Sequence, residues 1–143
     1  MIDPDVESDV VISAVSAPDW FGYSLVAGDF DGDGKDDLAV GAPGLFNPIE
    51  NSQGDGLFFN PSGFQGASPP SSPGKVFVFS GQSLSSAQSE NDAQSTIEGS
   101  AVDLFGMVLA VGDLSGDGFP ELISGSPRFA GNQGRITIYS AFY

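Results

Sequence analysis

With 143 residues, 40% of them hydrophobic, and with 20 glycines and 10 prolines, the chain suits a single domain of short strands and turns rather than long helices. Four basic residues against 19 acidic ones give a formal net charge of −15, a surface that repels nucleic acid and anionic membrane. Cysteine and histidine are both absent. Thiol and His-based catalysis, a disulfide framework and the usual zinc ligands are therefore excluded.

The first residues, Met1-Ile2-Asp3-Pro4-Asp5-Val6-Glu7, are acidic and have no apolar stretch of the signal-peptide kind. A secreted protein would need its signal elsewhere, so the sequence reads as a mature or excised piece. No apolar run approaches the ~18 residues of a membrane span, and membrane insertion is not expected. The run Val10–Val15 is β-branched and predicts a strand, which Pro18-Asp19 breaks. Phe21-Gly22 is expected to open a second strand that reaches Asp29.

Then comes Asp29-Phe30-Asp31-Gly32-Asp33-Gly34-Lys35-Asp36-Asp37. Counted from Asp29, acidic side chains stand at positions 1, 3, 5 and 9, with glycine at position 6. Calcium takes about 6–8 oxygen ligands at ~2.3–2.6 Å, and a glycine permits the sharp turn such a loop needs. Asp29, Asp31 and Asp33 are candidate carboxylate ligands. Lys35 offers its backbone carbonyl from position 7, and Asp37 closes the site. Without a cation these carboxylates would repel one another. An EF-hand would carry a glutamate at position 12, where this chain has Val40. The flanks Leu25-Val26-Ala27 and Leu38-Ala39-Val40 are short and apolar, so the loop is expected to join two strands. The competing reading is an Asp/Gly-rich turn without metal, since both residues are ordinary in turns.

Residues Asn47–Pro73 are rich in Gly, Pro, Ser and Asn and form an unusually long connection. Phe58, Phe59 and Phe64 within it are candidate ligand contacts, or anchors onto the core. Gly74–Ser80 is a strong strand, Gln82–Gln94 a polar surface connection, and Ser95–Gly99 a short strand. The pattern then restarts. Phe105-Gly106 stands 84 residues beyond Phe21-Gly22, and the same offset carries Gly28-Asp29 onto Gly112-Asp113 and Pro43 onto Pro127. Later the offset falls to 60, matching Gly74-Lys75 with Gly134-Arg135, so residues 47–73 are an insertion in the first copy alone. The second loop, Asp113–Glu121, offers Asp113, Ser115, Asp117, the Phe119 carbonyl and Glu121. Its fewer charges predict weaker binding. An internal repeat of strands and turns points to the radial repetition of propeller blades.

These units, Phe-Gly, then Asp-x-(Asp/Ser)-Gly-Asp-Gly-x-x-(Asp/Glu), then a strand ending Gly-Ala-Pro or Gly-Ser-Pro, resemble the FG-GAP repeat. That repeat builds the β-propeller of integrin α-subunits and the C-terminal region of glycosylphosphatidylinositol-specific phospholipase D. The resemblance implies an all-β fold of four-stranded antiparallel blades with calcium between the first and second strands. Blade 1 would span about 20–99 and blade 2 about 104–143. It also implies an extracellular or cell-surface module for binding, adhesion or scaffolding, with a protein or glycan ligand. The alternative is a non-catalytic accessory propeller portion of a hydrolase resembling that phospholipase, whose zinc centre lies in another domain. Asp36 and Asp37 could do acid–base work, but the metal loops already engage the acidic residues, so no enzyme is expected. Two blades cannot close on themselves. The lone strand Val10–Val15 would complete the last blade of a neighbouring copy in a head-to-tail ring, with three copies favoured, unless further blades of a parent protein hide the open edges.

Overall fold

The computed structural model describes residues 10–15, 20–44, 73–84, 87–100 and 103–140. Its strands are β1 (Val11–Ser13), β2 (Ser24–Gly28), β3 (Asp37–Ala42), β4 (Lys75–Phe79), β5 (Ala87–Ser89), β6 (Ser95–Glu98), β7 (Val108–Gly112), β8 (Glu121–Ser126) and β9 (Arg135–Tyr139). Strands β2-β3-β4-β6 form one antiparallel sheet, and β7-β8-β9 form another. The sequence repeat is visible in the register. Gly28 faces Asp37 across the first hairpin, and Gly112 faces Glu121 across the second. The two sheets have the antiparallel strand order expected of propeller blades, the second with three strands among the described residues. The insertion 47–73 lies outside the described residues except for Pro73, so Phe58, Phe59 and Phe64 do too.

Two expectations change. Phe21-Gly22 does not open a strand but forms a turn, and β2 begins at Ser24. Trp20 and Gly22 take positive φ, 61° and 86°, which no ladder accommodates. Leu104 and Gly106 repeat this at 59° and 78°. The connection 82–94 also carries more structure than its polarity suggests. It contains β5 and a 3-10 turn, Glu90–Asp92, and β5 lies parallel to β1 with Ile12 opposite Gln88. The leading strand thus has a partner in its own chain. The Glu90 carboxylate secures it by accepting the Val15 N–H at 2.7 Å.

Strand alternation sends side chains to opposite faces of the first blade. Ala39, Val76 and Val78 join Phe30 on one face and pack against Phe105 and Leu122 of the second blade. Val40, Phe77 and Phe79 form the opposite face, over which Ile12, Phe21 and Leu84 pack. Fully burying a Val or Phe side chain contributes about 1.5–3 kcal/mol, so the cluster between the blades is the main force joining them.

The closest approach between the blades is backbone against backbone. The Phe105–Gly106 turn lies on Gly41 and Gly74, where an added methyl group would overlap the Gly106 carbonyl oxygen and the Phe105 main chain respectively. Ser24 Oγ donates to the same Gly106 carbonyl at 2.7 Å. Buried Asp103 accepts the Phe105 N–H at 3.2 Å and pairs with Arg135 at 3.2 Å, and the Gly106 N–H donates to Ser124 Oγ at 3.1 Å. Gly41→Ala should therefore destabilise the chain by about 1–3 kcal/mol, the usual range for overpacking. Urea denaturation at one fixed protein concentration checks this; unchanged stability would show that the close approach has no energetic weight.

Candidate metal centres

Each acidic loop is the tip of a hairpin, the first between β2 and β3 and the second between β7 and β8. The two loops share one end of the molecule. Asp31, Asp117 and Glu121 line a single cleft of about 40 Å³ with Phe30, Phe119, Pro120 and Ser140. That is far below the ~300 Å³ at which small-molecule pockets begin. Phe119 spans the gap, and its ring lies where a side chain on Gly32 would have to go.

In the first loop, Asp29, Asp31 and Asp37 each bring a carboxylate oxygen within 4.8 Å of the others. Asp33, expected among the first ligands, is not part of this group. Its Oδ1 accepts the Lys35 N–H at 2.8 Å, and its Oδ2 accepts from Gln82 Nε2. Asp29 accepts the N–H groups of Asp33 and Gly34 at 3.0 and 2.9 Å, which winds the loop around its first carboxylate. Asp37 is only 1% exposed. Its two oxygens accept the Phe30 N–H at 3.0 Å and the Gly81 N–H at 2.9 Å. Burial raises its pKa above the ordinary aspartate value of 3.8. The two N–H donors oppose the shift, and the charges of Asp31 and Asp33 add to it.

The second loop gathers Asp113, Asp117 and Glu121 by the same 4.8 Å measure. Asp113 accepts the N–H groups of Gly116 and Gly118 at 2.6 and 3.0 Å. Glu121, 4% exposed, accepts from Leu114 at 2.6 Å and from Ser115 at 3.3 Å. The longer glutamate thus reaches the loop backbone that Asp37 reaches in the first copy. The Phe119 N–H donates to Asp117 at 2.9 Å, as Lys35 does to Asp33, so each position-7 residue closes the same local turn. Position 5 joins the oxygen group here and position 3 joins it in the first loop, because position 3 of the second loop is Ser115. Both groups consist of oxygen alone, which suits a hard cation such as calcium or magnesium rather than a soft metal.

The FG-GAP repeat model matches residues 21–57 and 105–139, half of the chain. The chain belongs to the FG-GAP repeat family. Integrin alpha-7 of Mus musculus is 35% identical over 132 residues, covering 92% of this chain and 9% of its own length. Phosphatidylinositol-glycan-specific phospholipase D of Homo sapiens is 29% identical over 145 residues, covering 99% of this chain and 14% of its own. Integrin alpha-PS3 of Drosophila melanogaster is 35% identical over 125 residues, covering 85% of this chain and 9% of its own. The chain thus spans about a tenth of these relatives. Each FG-GAP repeat here supplies one Phe-Gly turn and one oxygen group, so the packing and site elements recur together.

Gly81 and Gln82 are site neighbours that the loop pattern alone does not reveal. The signal was a glycine two residues past the end of β4, where a side chain would overlap the Asp36 carbonyl. With calcium removed, Asp37→Ala should cost about 1–3 kcal/mol per orphaned donor, because the Phe30 and Gly81 N–H groups lose their acceptor. Asp31→Ala should cost within about 0.5 kcal/mol, since it releases only the exposed Asp33 N–H. Equal losses in urea denaturation would contradict this division of roles. The raised pKa of Asp37 also fixes a sign. The folded, metal-free chain holds that proton more tightly than the unfolded chain, so this contribution favours folding below the unfolded pKa. It is lost as pH rises through the raised folded value. In calcium-free buffer this contribution to stability should grow as pH falls from neutral toward the ordinary aspartate range, and relief of the −15 charge acts in the same direction. A melting temperature that falls over that range would contradict it.

Proposed function

We propose that the chain is a calcium-binding β-propeller module serving extracellular binding, adhesion or scaffolding. The observation that carries this reading is the duplicated group of three carboxylates, each gathered within 4.8 Å and each containing one buried member. Like charges this close favour either a proton or a cation. An exposed β-turn has no need of two such groups at matching repeat positions. The first site would use Asp29, Asp31 and Asp37, with Asp33 turning in from Gln82 and Lys35 adding its carbonyl. The second would use Asp113, Asp117 and Glu121, with the Ser115 hydroxyl and the Phe119 carbonyl. Calcium suits such loops better than magnesium, which demands a tighter octahedral shell.

The integrin relatives support a cell-surface role, and among the described residues no helix is long and apolar enough to cross a membrane. Phe58, Phe59 and Phe64 are proposed partner contacts on the strength of the sequence. The carboxylates are engaged by loop N–H groups, which supports a non-catalytic module. A second reading, an accessory portion of a phospholipase-D-like extracellular hydrolase, is favoured by the alignment that covers 99% of this chain.

Calorimetry of calcium into the decalcified chain should show two sites, the tighter one lost in Asp31→Ala. Calcium that binds only the folded state raises the melting temperature, by about 2.7 kcal/mol of stability at a hundredfold excess over Kd. A chelator that leaves the melting temperature unchanged would overturn the proposal.

A further inference from the structure

The two acidic loops meet through glycines on one side and apolar side chains on the other. Gly28 precedes Asp29, and a side chain there would meet Val111 Cγ2 at 3.0 Å and Pro120 Cγ at 3.3 Å. Gly32 stands between Asp31 and Asp33, and a side chain there would meet the Phe119 ring at 2.8 Å. Phe119 and Pro120 thus press on the main chain at both ends of the segment that carries Asp29 and Asp31. Phe119 is 49% exposed, so core burial does not account for the placement of its ring. At the matching positions the first loop has Lys35 and Asp36, which offer no such apolar surface.

The same residue belongs to the second oxygen group through its main chain. Its N–H donates to Asp117 Oδ1 at 2.9 Å, and Glu121, two residues on, holds the N–H groups of Leu114 and Ser115. Pro120 between them fixes one backbone torsion. Ring and main chain meet at one Cα, so the second loop cannot change shape at Phe119 without shifting the surface on which Gly32 rests. On the other side of the contact, the first group grips the peptide that follows Gly32. Its N–H, that of Asp33, donates to Asp29 at 3.0 Å and to Asp31 at 3.1 Å. Chains of packed side chains and hydrogen bonds of this kind carry coupling between sites.

We propose that Phe119 couples the two oxygen groups, so that a divalent cation held in either loop tightens the binding of a cation in the other. This rests on the calcium reading above. Its sign follows from order. The hydrogen bonds that wind the first loop are exposed, as are those of Asp113 and Asp117 in the second, and exposed loop bonds open at little cost. A loop fixed by its own cation presents a fixed surface to its neighbour, which then loses less conformational freedom on binding. Direct electrostatics acts the other way. Asp31, Asp117 and Glu121 line one cleft, so a cation in one loop weakens the negative field at the other. Salt screens that effect over ~8–10 Å. The ring favours joint filling, and without it only the competing field is left.

The experiment titrates calcium into the decalcified whole chain by calorimetry at about 0.15 M salt. With the first loop the tighter, the weaker step in the wild type fills the second loop beside an occupied neighbour. Asp31→Ala, which disables the first loop, should raise the second-loop Kd about fivefold or more, the lower end of site coupling. The field alone would lower it, because even without the Asp31 charge an empty first loop is more negative than a filled one. Phe119→Ala keeps the main-chain carbonyl and removes the ring. In that background Asp31→Ala should leave the second-loop Kd unraised. Each comparison is a ratio within one background, so a change of absolute affinity on removing the ring cancels. Filling the second loop of the Asp31→Ala chain should also raise the NMR order parameter of the Gly34 N–H, and removing the ring should abolish that rise. A second-loop Kd that Asp31→Ala leaves unchanged or lowers overturns the coupling and leaves the calcium reading standing. So does an equal rise with and without the ring, or a wild-type chain that fills one loop alone. A chain that takes up no calcium at either loop overturns both.

Discussion

Everything at the acidic end of this molecule depends on holding like charges together. Three carboxylates converge in each hairpin loop, and in each loop one of them is almost wholly buried. Coulomb repulsion at such range opposes the arrangement, and burial opposes it further by stripping water from the anion. The protein offsets this with backbone N–H donors. Asp37 is held from two directions, by Phe30 inside its own loop and by Gly81 at the end of β4. That second bond ties the loop to the third strand of the blade, so the blade must be assembled before the site has its shape. A cation would relieve the remaining repulsion, and for that reason metal binding and folding are coupled in this account.

The blades supply the rigidity that the loops need. Their contact relies on main chain meeting main chain at Gly41 and Gly74, with Phe30 sealed beneath the first loop. Phe30 therefore serves two structures at once. Its side chain is in the core between the blades, and its N–H holds the buried carboxylate. Phe119 plays a smaller bridging part by laying its ring over Gly32 of the other loop. Movement between the blades would consequently be felt at both oxygen groups.

The repeat, the hairpin placement of the loops and the identities of Asp29, Asp31, Asp37, Asp113, Asp117 and Glu121 were legible in the sequence, because spacing and charge specify them directly. Other features were not. The left-handed backbone at Trp20 and Leu104 is a property of the folded turn, and neither residue type signals it. Strand β5 is short and polar, and only its partner β1 makes it a strand. Position 5 of the first loop is an aspartate like its neighbours. Its departure from the oxygen group depends on Gln82, which lies 49 residues away in sequence. Long-range partners of this kind leave no local pattern to read.

The most direct measurement is a crystal structure of the chain grown in calcium, with anomalous scattering used to locate the ion. The account predicts one anomalous peak about 2.3–2.6 Å from oxygens of Asp29, Asp31 and Asp37, with a second, weaker peak among Asp113, Asp117 and Glu121. Both oxygen groups free of anomalous density at saturating calcium, with their loops unchanged, would contradict it.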